Sequence, residues 1–445
     1  MKQEVLDYKI ENTKLRVLFC GGICALFLLV LMYFSGNLDG LMNIKRKLVW
    51  CGLYAAVLLA VLVYFAVRRR VKDVWLLCAA GIAVGGAIGV RLMLFDHASG
   101  DYIAFIDHWI RQIRELPGLE GWVKKIGDYN MPYLYMLTFV AKTGGFELYK
   151  VKTFSVLADF ALAYFIMRLA GLKLKSVKGE IAVFCLALFI PTVIYNGAYW
   201  GQCDSIYAAF SFAFLYYALT KRPWLSCIML GLAVSFKLQA VFLFPMLIAF
   251  IIVKRIKPLH LLAVPAAFIL TLLPAVFAGR SLYDTFSIYF VQASKNEKLT
   301  LNAPNVYQFV QGVELSSFTT ATIILTGAAL LCLLYVVYIK RDRMDREILV
   351  RTAFLCSLIV PMFLPQMHER YFFLADCLSL LIPVLVKDRI FVPIAVVYCS
   401  FRAYASFEMN DPSVNLRLLA VIMILTMVIC TYDFINDLKR KEAVK

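Results

Sequence analysis

VWLLCAAGIAVGGAIGVRLMLF, residues 74–95, runs directly into DHASGDYIAFIDHWIRQIRELPGLEGWVKKIGDYN, residues 96–130. The first stretch has the length a helix needs to cross a bilayer, roughly 17–25 apolar residues. The second is the longest soluble interruption in the first half of the chain. Counted from Asp101, apolar residues fall at Tyr102, Phe105, Ile106, Trp109, Ile110, Ile113 and Leu116, with Asp107, His108, Arg111, Gln112 and Arg114 between them. This spacing predicts an amphipathic helix that Pro117 and Gly118 stop, with a shorter helix beginning at Gly121 and running to Ile126. Between membrane spans such a helix should lie in the interface plane. The loop therefore reads as the roof of a site. Asp101, where the chain leaves the membrane, is its main candidate residue.

The rest of the chain extends that pattern. Of 445 residues, 62% are hydrophobic and 17% charged, more apolar surface than a soluble globule of this length could hide. The expected fold is all-α and polytopic, one membrane-embedded unit over 1–445 with no soluble appendage. Runs long enough to span fall near 16–35, 48–67, 74–95, 152–171, 179–198 and 203–220. More follow in 224–253 (two with a break), 258–279, 318–339, 349–365, 371–386, 390–407 and 416–436. With the borderline run 131–146 this predicts about 13–14 crossings, the first two of them in 1–70. A polar stretch precedes the first run and no small-x-small site follows it, so no cleavable signal peptide is expected. The twelve cysteines lie mostly within apolar runs, without a CxxC pair or a Cys/His cluster. Neither structural zinc nor a disulfide framework is expected.

The net charge of +17 is concentrated in short clusters between apolar runs, which points to anionic headgroups and not to nucleic acid. Arg68–Arg70 with Lys72, Lys173–Lys178, Lys221–Arg222, Lys254–Lys257, Lys340–Arg346, Lys387–Arg389 and Lys439–Lys441 read as cytoplasmic, as do both termini. The 96–130 loop, the Trp200–Asp204 turn, the 280–317 loop and the 365–370 and 408–415 turns then share the external side. Lys45–Lys47 breaks the rule. If 131–146 and 152–171 both crossed, the 172–178 cluster would land outside, so 131–146 is read as short or re-entrant.

Ionisable groups within or beside spans are costly and point to function. Asp101, Trp200-Gly201-Gln202-Cys203-Asp204, Lys237 with Gln239, Asn302–Tyr307 and Gln366–Tyr371 all fall on the expected external side. Together they suit group transfer to a hydroxyl from a phosphate-bearing lipid. A carboxylate takes the proton, cations and a His neutralise the phosphate, and aromatic rings face the sugar. Blander readings stand beside these. Asp101 could cap its helix as readily as act as a base, and the two are compatible. Asp159 and Asp376 read as partners of buried groups, and Arg91 as a side chain that snorkels to the interface. Lys237 needs a phosphate or a carboxylate partner, and His368-Glu369-Arg370 could be a self-paired turn. His97 and His108 read as interfacial, His260 as a cytoplasmic-edge residue, and Arg280, Lys295 and Lys298 as solvated.

The pattern resembles the GT-C superfamily of integral-membrane glycosyltransferases, most nearly bacterial relatives of GPI-type mannosyltransferases and dolichol-pathway glucosyltransferases. Gly100-Asp101-Tyr102 with His108-Trp109 is similar to the family's first-loop element, whose Asp is the catalytic base. Asp128-Tyr129-Asn130-Met131-Pro132-Tyr133 resembles the next, with Met131 where a proline is usual. Trp200-Gly201-Gln202 with Asp204 and Tyr207, Phe236–Gln239, Asn302–Tyr307 and Gln366–Arg370 follow in register, over about 74–386. The resemblance implies an inverting hexosyltransferase using a polyprenyl-phosphate sugar and a lipid-linked or polymer cell-envelope glycan acceptor. Asp101 would be the base, and His368, Arg370 and Lys237 would bind the donor phosphate. Trp200, Gln202, Asp204, Glu369, Asn305 and Tyr129 would contact sugar or hold the loops. Asp101 lacks a second acid at the Asp-x-Asp spacing, so no cofactor is expected and divalent-metal dependence stays open. The rival classes are a transporter or flippase of lipid-linked sugars, for which no inverted repeat is visible, and a polysaccharide polymerase.

Overall fold

The computed structural model describes residues 13–28, 30, 44–289, 298–310 and 315–443. The end of the first expected span and Lys295 lie outside them, as do the side chains of Lys45–Lys47. Almost every described element is a helix, and this is a multi-pass membrane protein. Among the described residues, six helices are long and apolar enough to cross a bilayer: Val49–Arg68, Val74–Met93, Glu147–Ala170, Pro258–Phe277, Phe318–Ile339 and Leu416–Lys441. A seventh is possible if Val177–Leu188 and Pro191–Trp200, which meet at a 50° bend, form one span. Their outward faces carry bare apolar side chains such as Trp75, Ile82, Phe277 and Leu331, a surface suited to lipid.

Among the described residues, unbroken helices of that length are fewer than the apolar runs that predict 13–14 crossings, because several runs are built from shorter or bent helices. The difference lies in how the chain breaks those runs. The 224–253 run divides at Lys237, whose backbone is extended (φ −152°, ψ 136°), and resumes as a 3₁₀ turn over Leu238–Leu243. Pro191 and Pro245 each begin a new helix, because proline has no N–H to continue the preceding one. The 131–146 run forms only the 12-residue helix Met131–Lys142. At about 1.5 Å per residue it rises roughly 18 Å, short of a hydrocarbon core of about 30 Å.

The predicted amphipathic loop is present. A π-turn over Tyr102–Ile106 leads into the helix Asp107–Glu115, and Glu120–Val123 forms the shorter second helix. Tyr102, Ile106, Trp109, Ile110 and Ile113 are buried against Met131–Lys142. The π-turn rotates Phe105 outward, off the stripe that the 3.6-residue period predicts.

Two expected solvated or snorkelling cations are instead buried. Arg91 has no exposed surface, and its Nε donates to Asp159 Oδ2 at 2.8 Å while Ser205 Oγ holds Asp159 Oδ1 at 2.5 Å. Arg280 is 3% exposed and donates to the carbonyls of Trp122 (3.1 Å) and Lys124 (2.8 Å), fastening the far end of the amphipathic loop. Asp376, as expected, has a buried partner, with Ser400 Oγ at 2.7 Å. Gly231 lets two helices touch, since a Cβ there would meet the Val264 carbonyl at 2.4 Å.

Polar contacts divide the bundle into two ends. At one, the basic clusters find acids: Lys178 with Asp73 (3.1 Å), Lys173 with Glu347 (2.7 Å), Arg389 with Asp433 (2.5 Å) and Arg69 with Glu180. At the other, Asp101 meets Gln202, Gly100 meets Glu408, and Thr300–Leu301 pairs in parallel with Met367–His368. The polar turns singled out in the sequence are at that second end.

Candidate active site

The site forms where four chain segments converge. The Val74–Met93 helix delivers the first. After it ends, Ser99 Oγ accepts the Tyr102 N–H at 3.2 Å and donates to the Trp200 carbonyl at 2.6 Å. Ser99 is therefore the side chain that caps this turn. Asp101 already has helical φ and ψ (−62°, −38°) and makes no capping bond. Its carboxylate is free for other partners.

Gln202 Nε2 donates to Asp101 Oδ2 at 2.8 Å, and Arg370 Nη1 stands 3.8 Å from the same oxygen. Tyr129 O–H in turn donates to Gln202 Oε1 at 3.0 Å, which fixes the orientation of the amide. Desolvation drives the Tyr129 phenol well above its ordinary value, so it stays a neutral donor. Gly201 makes this arrangement possible. Its φ of +81° turns the chain sharply between Trp200 and Gln202, a conformation that favours glycine.

Arg370 is the charged centre of the site. Burial opposes its charge, but Glu369, then Tyr129 and Asp204, outweigh that, and the guanidinium is held above its already high value. Nη1 binds Glu369 Oε1 at 3.0 Å, and the guanidinium carbon lies 5.2 Å from the Trp200 ring centre. Arg370 Nε, His368 Nδ1 and Glu369 Oε2 are buried without a hydrogen-bond partner among the described residues. His368 Nδ1 stands 3.7 Å from Glu369 Oε2, and the His368 ring lies 5.1 Å from that of Tyr371. Of these, Arg370 Nε, and His368 Nδ1 when it carries its proton, have donor capacity to spare for an anionic ligand.

Asp204 and Lys237 form a separate buried pair beneath. Lys237 Nζ donates to Asp204 Oδ1, and Asn196 Nδ2 donates to Asp204 Oδ2 at 2.6 Å. The Asp204 N–H donates back to Asn196 Oδ1 at 3.3 Å, and Lys237 Nζ lies 5.5 Å from the Tyr129 ring centre. Of the two partners the sequence allowed for Lys237, the structure supplies the carboxylate. Trp200 has no exposed surface, so it touches Arg370, Tyr195 and Tyr404 rather than an open cavity. Asn305 is equally buried and stands apart from Asp101, bonding the Pro361 carbonyl at 3.2 Å and the Tyr307 N–H at 3.1 Å.

Three contributors were not assigned to the site from the sequence, although His97 was read as interfacial. Asn196 carries a signal only in hindsight, eight residues before Asp204. Glu408 accepts the Gly100 N–H at 3.2 Å and comes from the end of the Phe391–Glu408 helix, 308 residues away. His97 stacks on Tyr199 at 3.8 Å and faces Glu408 at 3.9 Å. Burial, then the Lys152 ammonium, lowers His97 below its ordinary value, so at neutral pH it meets Glu408 as an uncharged ring.

At this end of the bundle a carboxylate thus stands beside an arginine and a histidine that have unused hydrogen-bonding capacity. Residues 147–365 match the family model of glycosyltransferase family 87. That family is a membrane-embedded, GT-C-type one, and the chain is accordingly a membrane-embedded glycosyltransferase of GT-C type. The matched segment contains Trp200, Gln202, Asp204, Lys237 and Asn305, and it ends just before Gln366. No curated protein matches the chain.

Proposed function

We propose that the enzyme moves one hexose, of mannose or glucose type, from a polyprenyl-phosphate donor to a lipid-linked or polymer glycan acceptor, with inversion, on the external face of the membrane. The observation that carries this reading is the convergence of Gln202 and Arg370 on Asp101 Oδ2. A carboxylate so oriented can take the proton of an acceptor hydroxyl. As that oxygen bonds to the anomeric carbon, the bond from that carbon to the phosphate oxygen breaks and its electron pair leaves with the phosphate. Arg370 and His368 receive the developing charge, and Glu369 orients both. Lys237 is engaged by Asp204 and supports the floor of the site. Gln202 and Tyr129 set the base, while Trp200, Asp204 and Asn305 hold the turns. The external placement is supported by the basic clusters at the opposite end of the bundle.

The test uses purified enzyme in vesicles, a panel of radiolabelled polyprenyl-phosphate hexoses, and a membrane extract as acceptor source. Label passing from one of these lipids into a glycan product is the expected result. Label that crosses the bilayer still attached to its lipid would make the protein a flippase. A strict need for a pyrophosphate-linked chain would make it a polymerase.

A further inference from the structure

The segment that presents Asp101 has an unusual anchor. Leu94, Phe95 and His97 follow the end of the Val74–Met93 helix, where backbone carbonyls lack helical N–H partners. Lys152 Nζ donates to all three, at 2.8, 3.1 and 2.6 Å respectively. An ammonium has three N–H donors, so its capacity is filled. Lys152 has no exposed surface, and burying so polar a head group is costly unless its donors are matched, as they are here by the three carbonyls. One turn along the same helix, Ser155 Oγ donates to the Gln202 carbonyl at 2.5 Å. Residues three apart share a helix face. One face of Glu147–Ala170 therefore grips both sides of the Asp101–Gln202 contact, the first side through Lys152 and the second through Ser155.

We propose that Lys152 is a positioning residue for sugar transfer: its clamp on the 94–97 backbone sets the Asp101 carboxylate against Gln202 and so against the acceptor hydroxyl. The proposal rests on the reading of Asp101 as the base. Lys152 touches neither substrate nor the reacting atoms, and it acts through the three carbonyls and the four residues that lead from His97 to Asp101. It also joins two parts of the chain, since Lys152 lies within the family-matched segment and Asp101 lies before it.

Lys152→Met keeps the length of the side chain and removes the charge and every donor. In vesicle assays kcat should fall on the order of 10–100-fold, because a small misplacement of a reacting group has that effect. The donor KM should stay within about twofold, since the phosphate-binding groups are untouched. Hydrogen exchange should quicken at the amides of 98–103 and not across the bundle. Lys152→Gln retains two N–H donors and should give an intermediate kcat. It also serves as the test variant if Lys152→Met does not fold. Wild-type kcat in either variant, with Asp101→Asn inactive, would overturn the positioning role alone. A fall in kcat matched by a rise in donor KM and by faster exchange throughout would overturn it too, in favour of a purely structural lysine. Full activity in Asp101→Asn would instead remove the reading on which the proposal rests.

Discussion

Lys237 was open to two partners, a substrate phosphate or a protein carboxylate, and its bond to Asp204 makes a quantitative prediction. The two side chains are 8% and 3% exposed. Replacing Lys237 with Met leaves a buried carboxylate whose remaining side-chain donor is Asn196 Nδ2 at 2.6 Å. Breaking one side of such a pair costs about 3–5 kcal/mol, or roughly 10²–10⁴-fold in the ratio of folded to unfolded protein. Asp204→Asn removes the opposite charge, keeps the amide shape, and should also destabilise by leaving the ammonium unpaired. The double variant should lose less than the sum of the two, with a coupling of about 1–3 kcal/mol. Inactivation half-lives of the four proteins in one detergent, followed over a range of temperatures, give the comparison. If the two substitutions add to within about 0.5 kcal/mol, the pair is not coupled and Lys237 is free for a phosphate.

Other outcomes follow from the same contacts. Arg370→Ala removes charge-assisted bonds worth about 1.5–3 kcal/mol, so donor KM should rise roughly 10–100-fold; unchanged KM in a normally expressed variant would contradict that role. Tyr129→Phe deletes the hydroxyl that orients Gln202, and kcat should drop about 3–10-fold, whereas a wild-type rate would mean the amide is held without it. Asn305→Ala severs the bonds to Pro361 and Tyr307 and should speed proteolysis within 298–310 while leaving donor KM alone. Wild-type resistance to protease would show that the loop is anchored elsewhere.

Much of this was legible in the sequence because it depends on composition and period. The apolar runs specify a helical membrane bundle, and the spacing from Tyr102 to Leu116 specifies the buried stripe of the loop. The polar turns at Asp101, Trp200–Asp204 and Gln366–Arg370 stood out because ionisable groups beside spans are rare, and the structure brings them together. What could not be read is set by tertiary partners. Arg91 and Arg280 look like ordinary edge charges until Asp159 and the Trp122 and Lys124 carbonyls are placed around them. The break at Lys237 was visible, but whether its partner was a ligand or Asp204, 33 residues earlier, was not. Nor do apolar runs reveal every place where a helix breaks, since proline and π- or 3₁₀-turns divide a run without making it less apolar. Ser99 illustrates the same limit at close range: it takes the capping role that Asp101 could have filled, and only the backbone angles distinguish them.

Asp101 is the proposed base, and single-turnover transfer by Asp101→Asn tests that role most directly. With donor pre-bound and acceptor in excess, the variant should bind donor as the wild type does and transfer at least ~100-fold more slowly. Near-normal transfer by Asp101→Asn, in protein that folds and binds donor normally, would contradict the account.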